Sequence, residues 1–248
     1  MQTAISIKHL SKSFGDLKVL QDISLHVANH EFVSIIGPSG SGKSTLFHVL
    51  AGIQSPGSGE VLIKEKIVKN RFGKFGYMPQ DVSLFPWKTV LENIMLGPVI
   101  SGTSKKNAKE KAYEMLEKFK LQNFANNYPA TLSGGMQQRV ALLRTVLFNP
   151  NFLLLDEPFG SLDALTRHVA QMWLLDVWNS YHSSVLFITH DIQEAILLSD
   201  RIFVFSNRPA TIVEQIKVDL PRPRRLLDLT KPQAISLEKK LLSLLTNA

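Results

Sequence analysis

Hydrophobic residues follow two different patterns along this chain. Near the start they alternate with polar residues, at Ile5 and Ile7 and again over residues 24–27, which indicates half-buried strands. Farther on, three short segments are apolar without interruption: Phe152–Leu155, Val185–Ile188 and Ile202–Phe205. Continuous runs of this kind are typical of strands that are buried on both faces of a parallel sheet.

Three segments show helical spacing instead. Residues 104–121 carry apolar positions three or four apart: Ala108, Ala112, Met115, Leu116 and Phe119. A long helix is predicted between the strands at 152–155 and 185–188, with these residues on its buried side: Leu165, Val169, Met172, Trp173 and Val177. A final amphipathic helix is predicted from Ile235, Leu237, Leu241, Leu242 and Leu245. We expect it to pack against the rest of the chain, and a partner contact is the alternative.

Strands that alternate with helices predict an α/β fold with a parallel sheet. The predicted organisation is a single domain over residues 1–248. Its core comprises residues 1–85 and 150–219, a mostly helical insertion covers 86–149, and a tail with its own helix covers 220–248. Prolines keep the start of that tail, Leu220–Arg225, out of a helix.

Composition limits the classes of protein to consider. The chain has 248 residues, of which 44% are hydrophobic and 20% charged, enough for one large domain or two coupled lobes. No apolar stretch approaches the length of about 20 residues that a membrane-spanning helix needs. The first eight residues do not resemble a signal peptide. Because the chain has no cysteine, a disulfide framework and a thiolate metal site are excluded.

The net charge of +7 has three interpretations: contact with nucleic acid, a position near anionic lipid, or simple solubility. The lysines are scattered, and no cluster alternates with aromatic residues as a base-stacking surface would. We therefore favour solvated faces, with an electrostatic partner surface as the alternative.

The segment Gly37–Thr45 matches the pattern G-x-x-x-x-G-K-[ST] between a predicted strand and a predicted helix. Glycines let successive N–H groups point at one anion, and the positive end of the helix adds to the attraction. Lys43 can then reach the β- and γ-phosphates, and the Ser44 hydroxyl suits Mg²⁺. A flexible Gly/Ser linker is the alternative, but the flanking strand and helix favour a nucleoside triphosphate site.

Polar residues follow the predicted strands where ligands of open α/β sheets bind. Asp156 is placed to hold Mg²⁺, and Glu157 to polarise the water that attacks the γ-phosphate. His190 can donate a hydrogen bond to a phosphate oxygen, and the Gln80 amide can reach Mg²⁺ or the attacking water. A capping role for Asp156 and a structural role for His190 are the alternatives.

A second glycine-containing segment, Leu132–Arg139, opens another predicted helix with Ser133 as its N-cap. Two helix-terminal anion sites in one chain suggest a dimer in which nucleotides lie between subunits. Taken alone, the segment is more often only a turn and a cap.

Together these residues resemble the nucleotide-binding subunit of an ATP-binding cassette (ABC) transporter over almost the whole chain. The resemblance implies a RecA-like P-loop NTPase fold, in which a mixed sheet carries an N-terminal antiparallel β part and a helical subdomain insertion. Gly37–Thr45 is similar to the Walker A loop, Phe152–Pro158 to Walker B, and Leu132–Gln137 to the signature segment. Gln80, Ser161–Asp163 and His190 resemble the Q-loop, D-loop and switch residues.

The resemblance implies roles for these residues. Glu157, His190, Gln80 and Lys43 would be catalytic, and Ser44, Gln80 and Asp156 would bind Mg²⁺. ATP would contact Phe14 at the adenine, then Gly37, Pro38, Ser39, Gly40, Ser41, Gly42, Lys43, Ser44 and Thr45, and finally Ser133, Gly134, Gly135, Gln137 and Asp163.

The resemblance also implies partners and a location. A head-to-tail homodimer would couple to two transmembrane permease subunits at the cytoplasmic face of the membrane, and indirectly to a solute-binding protein, without nucleic acid. Val82–Trp87 is apolar for a loop and is the predicted docking surface, with packing between lobes as the alternative. Three segments resemble those of subunits that serve importers of nitrate, sulfonates, taurine or pyrimidine precursors: Phe159–Asp163, Asn207–Ala210 and Leu220–Arg224.

Three segments depart from the usual family pattern: Met136 in the signature, the bulky Leu142–Leu147, and Lys64–Lys66 in place of an Asp-Gly turn. The last of these predicts a short or irregular hairpin.

Two other functions are alternatives to a transporter subunit. The first is a soluble ATPase of the same superfamily that acts on nucleic acid or ribosomes, but such proteins usually carry a coiled-coil insertion or two cassettes, and this sequence shows neither. The second is an unrelated kinase or GTPase, which would lack the signature segment that this chain contains.

Overall fold

The computed structural model describes residues 2–247, which form ten strands and seven α-helices. The strands are β1 (Thr3–Phe14), β2 (Leu17–Ala28), β3 (Phe32–Ile36), β4 (Ser58–Ile63), β5 (Lys66–Ile67), β6 (Gly76–Met78), β7 (Phe152–Asp156), β8 (Ser184–Ile188), β9 (Arg201–Phe205) and β10 (Ile212–Lys217). The helices are α1 (Lys43–Leu50), α2 (Val90–Ile100), α3 (Lys105–Lys118), α4 (Gly134–Phe148), α5 (Ala164–Tyr181), α6 (Ile192–Leu198) and α7 (Pro232–Asn247). Within residues 2–247, none of the helices combines the length and apolar character of a membrane span.

The chain divides into two compact units. The first contains residues up to 73 and those from 182 onward, and the second is Lys74–Tyr181. The second unit includes the predicted helical insertion, 86–149, and in addition β6, β7 and α5.

Two sets of strands build the first unit. β2, β1, β4 and β5 form an antiparallel sheet in that order. In the other set β3 pairs in parallel with both β8 and β9, and β10 pairs antiparallel with β9. Every residue of β3, β8 and β9 is buried, as the continuous apolar runs Val185–Ile188 and Ile202–Phe205 predict for β8 and β9. This mixed α/β architecture confirms the predicted fold class.

The hairpin between β4 and β5 is short, as predicted. β5 has only two residues, and the turn before it places Lys64 and Glu65 at φ 49° and 63°. Two successive residues with positive φ make a tight turn between antiparallel strands, here without glycine.

The second unit combines a parallel pair, β6 and β7, with helices α2 to α5. Its apolar core is formed mainly by α2, α3 and α4, with these residues fully buried: Val90, Ile94, Ala112, Leu116, Val140 and Leu143. The start of α2 is fixed by a capping box, because the Glu92 N–H donates to Thr89 Oγ1 (3.2 Å) and the Thr89 N–H donates to Glu92 Oε2 (2.8 Å).

The predicted buried side of α5 is wrong at its first two positions. Leu165 is 82% exposed and Val169 is 66% exposed, whereas the buried residues are Ala170, Gln171, Leu174, Leu175, Val177 and Trp178. Apolar residues occur almost all around this helix, so its periodicity does not identify the packed face.

The C-terminal helix packs on the first unit, as predicted. Ala234 and Leu241 of α7 are buried with Ala195 and Ile196 of α6, while Ile235 and Leu242 are exposed. The proline-containing segment that precedes α7 is not helical, which also agrees with the sequence.

Candidate functional site

The segment Gly37–Gly42 connects the buried strand β3 to α1 and holds an unusual backbone conformation. Gly40 and Gly42 have φ values of 74° and 111°, a backbone conformation that residues with a side chain rarely adopt. Gly42 is the N-cap of α1 and no side chain caps the helix, so the N–H groups of the first turn are not bonded to a capping side chain.

The walls of this loop leave no room for side chains at two glycines. A Cβ at Gly37 would lie 2.9 Å from both the Cβ and the carbonyl oxygen of Phe205, and one at Gly42 would lie 2.8 Å from Val19 Cγ1. Packing within the chain therefore requires glycine at both positions. Glycine-rich turns that precede a helix are a common kind of phosphate-binding loop.

Polar side chains line the same loop. Lys43 Nζ donates to the carbonyl oxygens of Gly37 and Pro38, both at 2.8 Å. The Ser41 hydroxyl is buried and has no hydrogen-bond partner within the described chain. Because a buried polar group without a partner is costly, an anion with several acceptor oxygens fits this position.

His190 lies at the same edge of the first unit's sheet as the phosphate loop. β3 and β8 run in parallel, with Ile35 opposite Ile188. β3 ends at Ile36, directly before the loop, and β8 ends two residues before His190. Ser44 and Thr45 lie in the first turn of α1, and Ser39 is exposed on the loop. Phe14 ends β1 with an exposed ring, and Lys12 Nζ lies 5.0 Å from its centroid.

The second unit brings together Gln80, Asp156 and Glu157. β6 and β7 are parallel with Met78 opposite Leu155, so the residues that follow them reach one edge. Gln80 Nε2 donates to Glu157 Oε2 at 3.3 Å. Asp156 is buried, and Glu157 has a φ of 47°, a left-handed conformation that is uncommon for a residue with a side chain.

Tyr77 shows the effect of burial and of the Asp156 charge at this position. Burial raises the pKa of its phenol well above the ordinary value, and the negative charge of Asp156 raises it further. The phenol therefore stays neutral beside the carboxylates at any physiological pH.

Gln138 belongs to this site, although sequence reasoning did not identify it. Its side chain is buried in α4, its Nε2 donates to the Glu157 carbonyl oxygen at 3.3 Å, and its Oε1 accepts from the Ser161 N–H at 3.3 Å and from the Ser161 hydroxyl. The one signal in the sequence was a glutamine among the mostly apolar residues of the buried face of α4. Gln138 thus fixes the turn that follows the catalytic carboxylate candidate.

The signature segment starts α4 as predicted. Ser133 is the N-cap, and its hydroxyl accepts from the Met136 N–H at 3.3 Å. Gln137 is turned toward the preceding turn, where its Nε2 donates to the carbonyl oxygens of Pro129 (3.0 Å) and Leu132 (3.3 Å). A Cβ at Gly134 would meet nothing within 4 Å.

Asp163 caps the next helix, α5. Its Oδ1 accepts from the N–H groups of Leu165 and Thr166, both at 3.1 Å. Hydrogen bonds from Thr166 lower the pKa of the carboxyl, which keeps it ionised.

The apolar loop Val82–Trp87 is anchored at Phe85 and exposed at Trp87. The Phe85 N–H donates to Asn93 Oδ1 at 2.9 Å, Arg144 Nη1 donates to the Ser83 carbonyl oxygen at 2.9 Å, and the Trp87 side chain is 70% exposed. Burial lowers the pKa of Arg144. The loop is thus held in place while its tip stays accessible.

No group of three or more His, Asp or Glu side chains within residues 2–247 is arranged to hold a metal ion. Mg²⁺ in nucleotide sites commonly takes one or two protein oxygens together with phosphate oxygens and water. The donors Ser44 and Asp156 have the hard oxygen chemistry that Mg²⁺ prefers.

Comparisons with known proteins agree with this geometry. The sequence profile of the ABC transporter family matches residues 20–160. An uncharacterized ABC transporter ATP-binding protein of Methanocaldococcus jannaschii is 40% identical over 99% of this chain and 92% of its own length. The aliphatic sulfonates import ATP-binding protein SsuB of Bacillus cereus is 43% identical over 88% of this chain and 85% of its own length. The nitrate import ATP-binding protein NrtD of Synechocystis is 41% identical over 84% of this chain and 78% of its own length.

Solved structures give the same result. A dimeric bacterial ABC transporter cassette is 32% identical, with a TM-score of 0.78 over 88% of this chain and all of that one. A dimeric cassette in a post-hydrolysis state with ADP and Pi is 30% identical, with a TM-score of 0.75 over the same shares. With its phosphate loop, its strand-end carboxylates and these relatives, the chain belongs to the ABC transporter family.

Proposed function

We propose that this chain is the ATP-binding and ATP-hydrolysing subunit that energises a membrane importer of a small anionic or polar solute, of the nitrate or sulfonate type. The observation that carries the proposal is the glycine-rich loop Gly37–Gly42 before α1, in which the buried Ser41 hydroxyl has no hydrogen-bond partner among the described residues. The names of the sulfonate and nitrate import relatives support the direction of transport and the class of solute.

ATP binding in this proposal uses the loop's own chemistry. The first-turn N–H groups of α1 and the Ser41 hydroxyl donate hydrogen bonds to phosphate oxygens. Lys43 Nζ, which donates to the carbonyl oxygens of Gly37 and Pro38 in the structure, donates to phosphate oxygens instead when ATP is bound. Phe14 is the proposed adenine contact. Ser44, Asp156 and Gln80 are the residues that would hold Mg²⁺, and the bound ion would supply positive charge to the phosphates.

Hydrolysis in this proposal depends on the orientation of Glu157. Its carboxylate accepts a hydrogen bond from Gln80, and its backbone is held by Gln138, so its position is fixed before the substrate arrives. Glu157 then polarises the attacking water, and His190 donates a hydrogen bond to the γ-phosphate.

The proposed assembly is a head-to-tail homodimer. Ser133, Gly134 and Gly135 of one protomer would close over the ATP that the other protomer's loop holds, with Gln137 and Asp163 nearby. The dimer would bind two permease subunits through Val82–Trp87 at the cytoplasmic face of the membrane, and a solute-binding protein would act through the permease. The solved dimeric cassettes support the dimer in this proposal.

The test is Glu157→Gln in the purified full chain. Because the amide cannot polarise water, we expect ATP turnover to fall by about a thousandfold, with ATP affinity within about twofold of the unsubstituted chain. Turnover is measured by phosphate release, and affinity with a fluorescent ATP analogue. Glu110→Gln, at an exposed position, is the matched control and should change neither quantity.

Two results would contradict the proposal. Turnover of Glu157→Gln within about twofold of the unsubstituted chain would remove the proposed base. Hydrolysis that is stimulated by nucleic acid in a salt-sensitive way would favour the soluble superfamily ATPase instead. Uptake of sulfonate or nitrate, lost when this chain is deleted and restored when it returns, tests the solute class.

A further inference from the structure

Two arginines that follow β10 bind the C-terminal end of α6. Arg224 Nη1 donates to the carbonyl oxygens of Ile196 (2.9 Å) and Ser199 (2.5 Å), and Arg222 Nη2 donates to that of Leu198 (2.6 Å). Carbonyl oxygens at the end of a helix have no intrahelical N–H partner, and cations there also match the negative end of the helix dipole.

Arg224 is buried to an unusual degree, with only 3% of its surface exposed. Its Nε and Nη2 donate to the Leu220 carbonyl oxygen at 3.1 and 3.0 Å, and Nη2 also donates to that of Val218 at 3.2 Å. One planar guanidinium therefore joins the end of α6 to the segment Val218–Leu220 that follows β10. A lysine has its donors on a single atom and cannot contact such a spread of acceptors.

The electrostatic environment of Arg224 opposes its positive charge. Burial and, to a lesser extent, the charge of Arg222 lower its pKa to about 10, while Asp200 and Asp228 act in the opposite direction. A buried cation whose hydrogen bonds go to backbone carbonyls is expensive unless every donor is satisfied.

The other end of α6 begins directly after His190. The Asp191 side chain caps the helix by accepting from the Glu194 N–H at 3.1 Å, the Asp191 N–H donates to Thr189 Oγ1 at 3.0 Å, and the Thr189 hydroxyl donates to the Glu194 carboxylate. The two neighbours of His190 in the sequence, Thr189 and Asp191, are thus both hydrogen-bonded to Glu194 in the first turn of α6.

α6 has only seven residues, so its position depends on tertiary contacts. Isolated helices of this length are not stable in water. Ala195 and Ile196 pack with Ala234 and Leu241 of α7, and the two arginines fix the last turn. Contacts at both ends and along one side therefore hold this short, buried helix.

We propose that Arg224, assisted by Arg222, is a positioning residue for His190. It fixes the C-terminal end of α6 and thereby sets where the imidazole at the other end stands. This inference rests on the role of His190 in ATP hydrolysis given under the proposed function, and it gives the segment after β10 a part in the reaction although it touches no substrate.

The experiment uses Arg224→Lys in the purified full chain, with Arg225→Lys, at the exposed neighbouring position, as the matched control. We expect Arg224→Lys to lower kcat for ATP about tenfold while KM stays within about twofold, because binding groups are untouched and only the orientation of His190 changes. Arg225→Lys should leave both values unchanged. Melting temperatures are recorded so that all rates are measured on folded protein.

A double-mutant cycle with His190→Ala separates positioning from a merely structural role. If Arg224 acts through His190, adding Arg224→Lys to His190→Ala lowers kcat no further. A loss of the same factor in both backgrounds, or an unchanged kcat in Arg224→Lys alone, would overturn the inference.

Arg222→Lys carries the same cycle if Arg224→Lys does not fold, because Arg222 is only partly buried and keeps Asp200 as an ionic partner at 2.8 Å. A normal rate in His190→Ala alone would instead remove the proposed role of the histidine, and with it this inference, while leaving the role of Glu157 intact.

Discussion

Two glycine-containing segments begin helices in this protein, and they differ in why they contain glycine. In the segment before α1, Gly42 has a φ of 111° and lies against Val19, so the fold of the chain itself requires glycine there. In the segment before α4, Gly134 has no positive φ, and a Cβ would meet nothing within 4 Å. The first glycine is explained by internal packing and the second is not.

The difference indicates where an external neighbour belongs. A glycine that the fold does not require, at a helix N-terminus, exposes backbone N–H groups to whatever approaches from outside. In the proposed dimer that neighbour is the ATP held by the partner protomer. The comparison thus supports the view that one chain supplies two incomplete halves of different sites.

Gly42→Ala should have the largest effect of the substitutions that test this comparison. A Cβ there combines positive φ with a 2.8 Å approach to Val19 Cγ1, so we expect the free energy of unfolding to fall by about 2 kcal/mol or more. ATP binding should be lost as well, because the loop cannot keep its shape. Urea unfolding and equilibrium nucleotide binding measure the two effects.

Gly102→Ala is the control for that substitution. Gly102 also has positive φ, 91°, but nothing lies within 4 Å of its Cβ position, so only the backbone strain of about 1 kcal/mol should remain. Equal losses in the two variants would show that the contact with Val19 contributes nothing.

Gly134→Ala should separate folding from assembly. Because nothing in the chain lies near its Cβ, we expect the free energy of unfolding to stay within about 0.5 kcal/mol of the original value. ATP-dependent dimerisation should nevertheless weaken about tenfold or more, because the methyl group would meet the nucleotide of the partner. Sedimentation with ATP in the Glu157→Gln background measures this, and unchanged dimerisation would count against the proposed interface.

Ser133→Ala should lower the free energy of unfolding by about 1 kcal/mol, less than Gly42→Ala but more than Gly134→Ala, because it removes the side-chain cap of α4. Ser133→Thr keeps the hydroxyl and should restore most of the loss. Denaturant unfolding of the two variants measures the difference, and equal stabilities would mean that the 3.3 Å hydrogen bond to Met136 has no energetic value.

Local chemistry explains why much of this protein could be predicted from its sequence. Gly37–Thr45 and Ser133 act through the backbone of their own segment, and the strands are recognisable because their apolar runs are continuous. The buried face of α5 could not be predicted because apolar residues occur almost all around it, and only tertiary contacts decide that Leu165 and Val169 remain exposed.

Residues whose partners lie far along the sequence were missed for a related reason. Gln138 bonds to residues 19 and 23 positions away, and Arg224 to one 28 positions away. Neither hydrophobic periodicity nor a local motif contains such information. The roles assigned to the site residues themselves remain predictions until the substitutions above are made.

The hydrogen bonds of Gln138 have a consequence for the proposed dimer. The helix that begins with the signature segment also carries this glutamine, whose Nε2 donates to the Glu157 carbonyl oxygen. In that dimer a single helix would therefore contact the backbone of Glu157 in its own protomer and, at its N-terminus, the nucleotide that the partner holds.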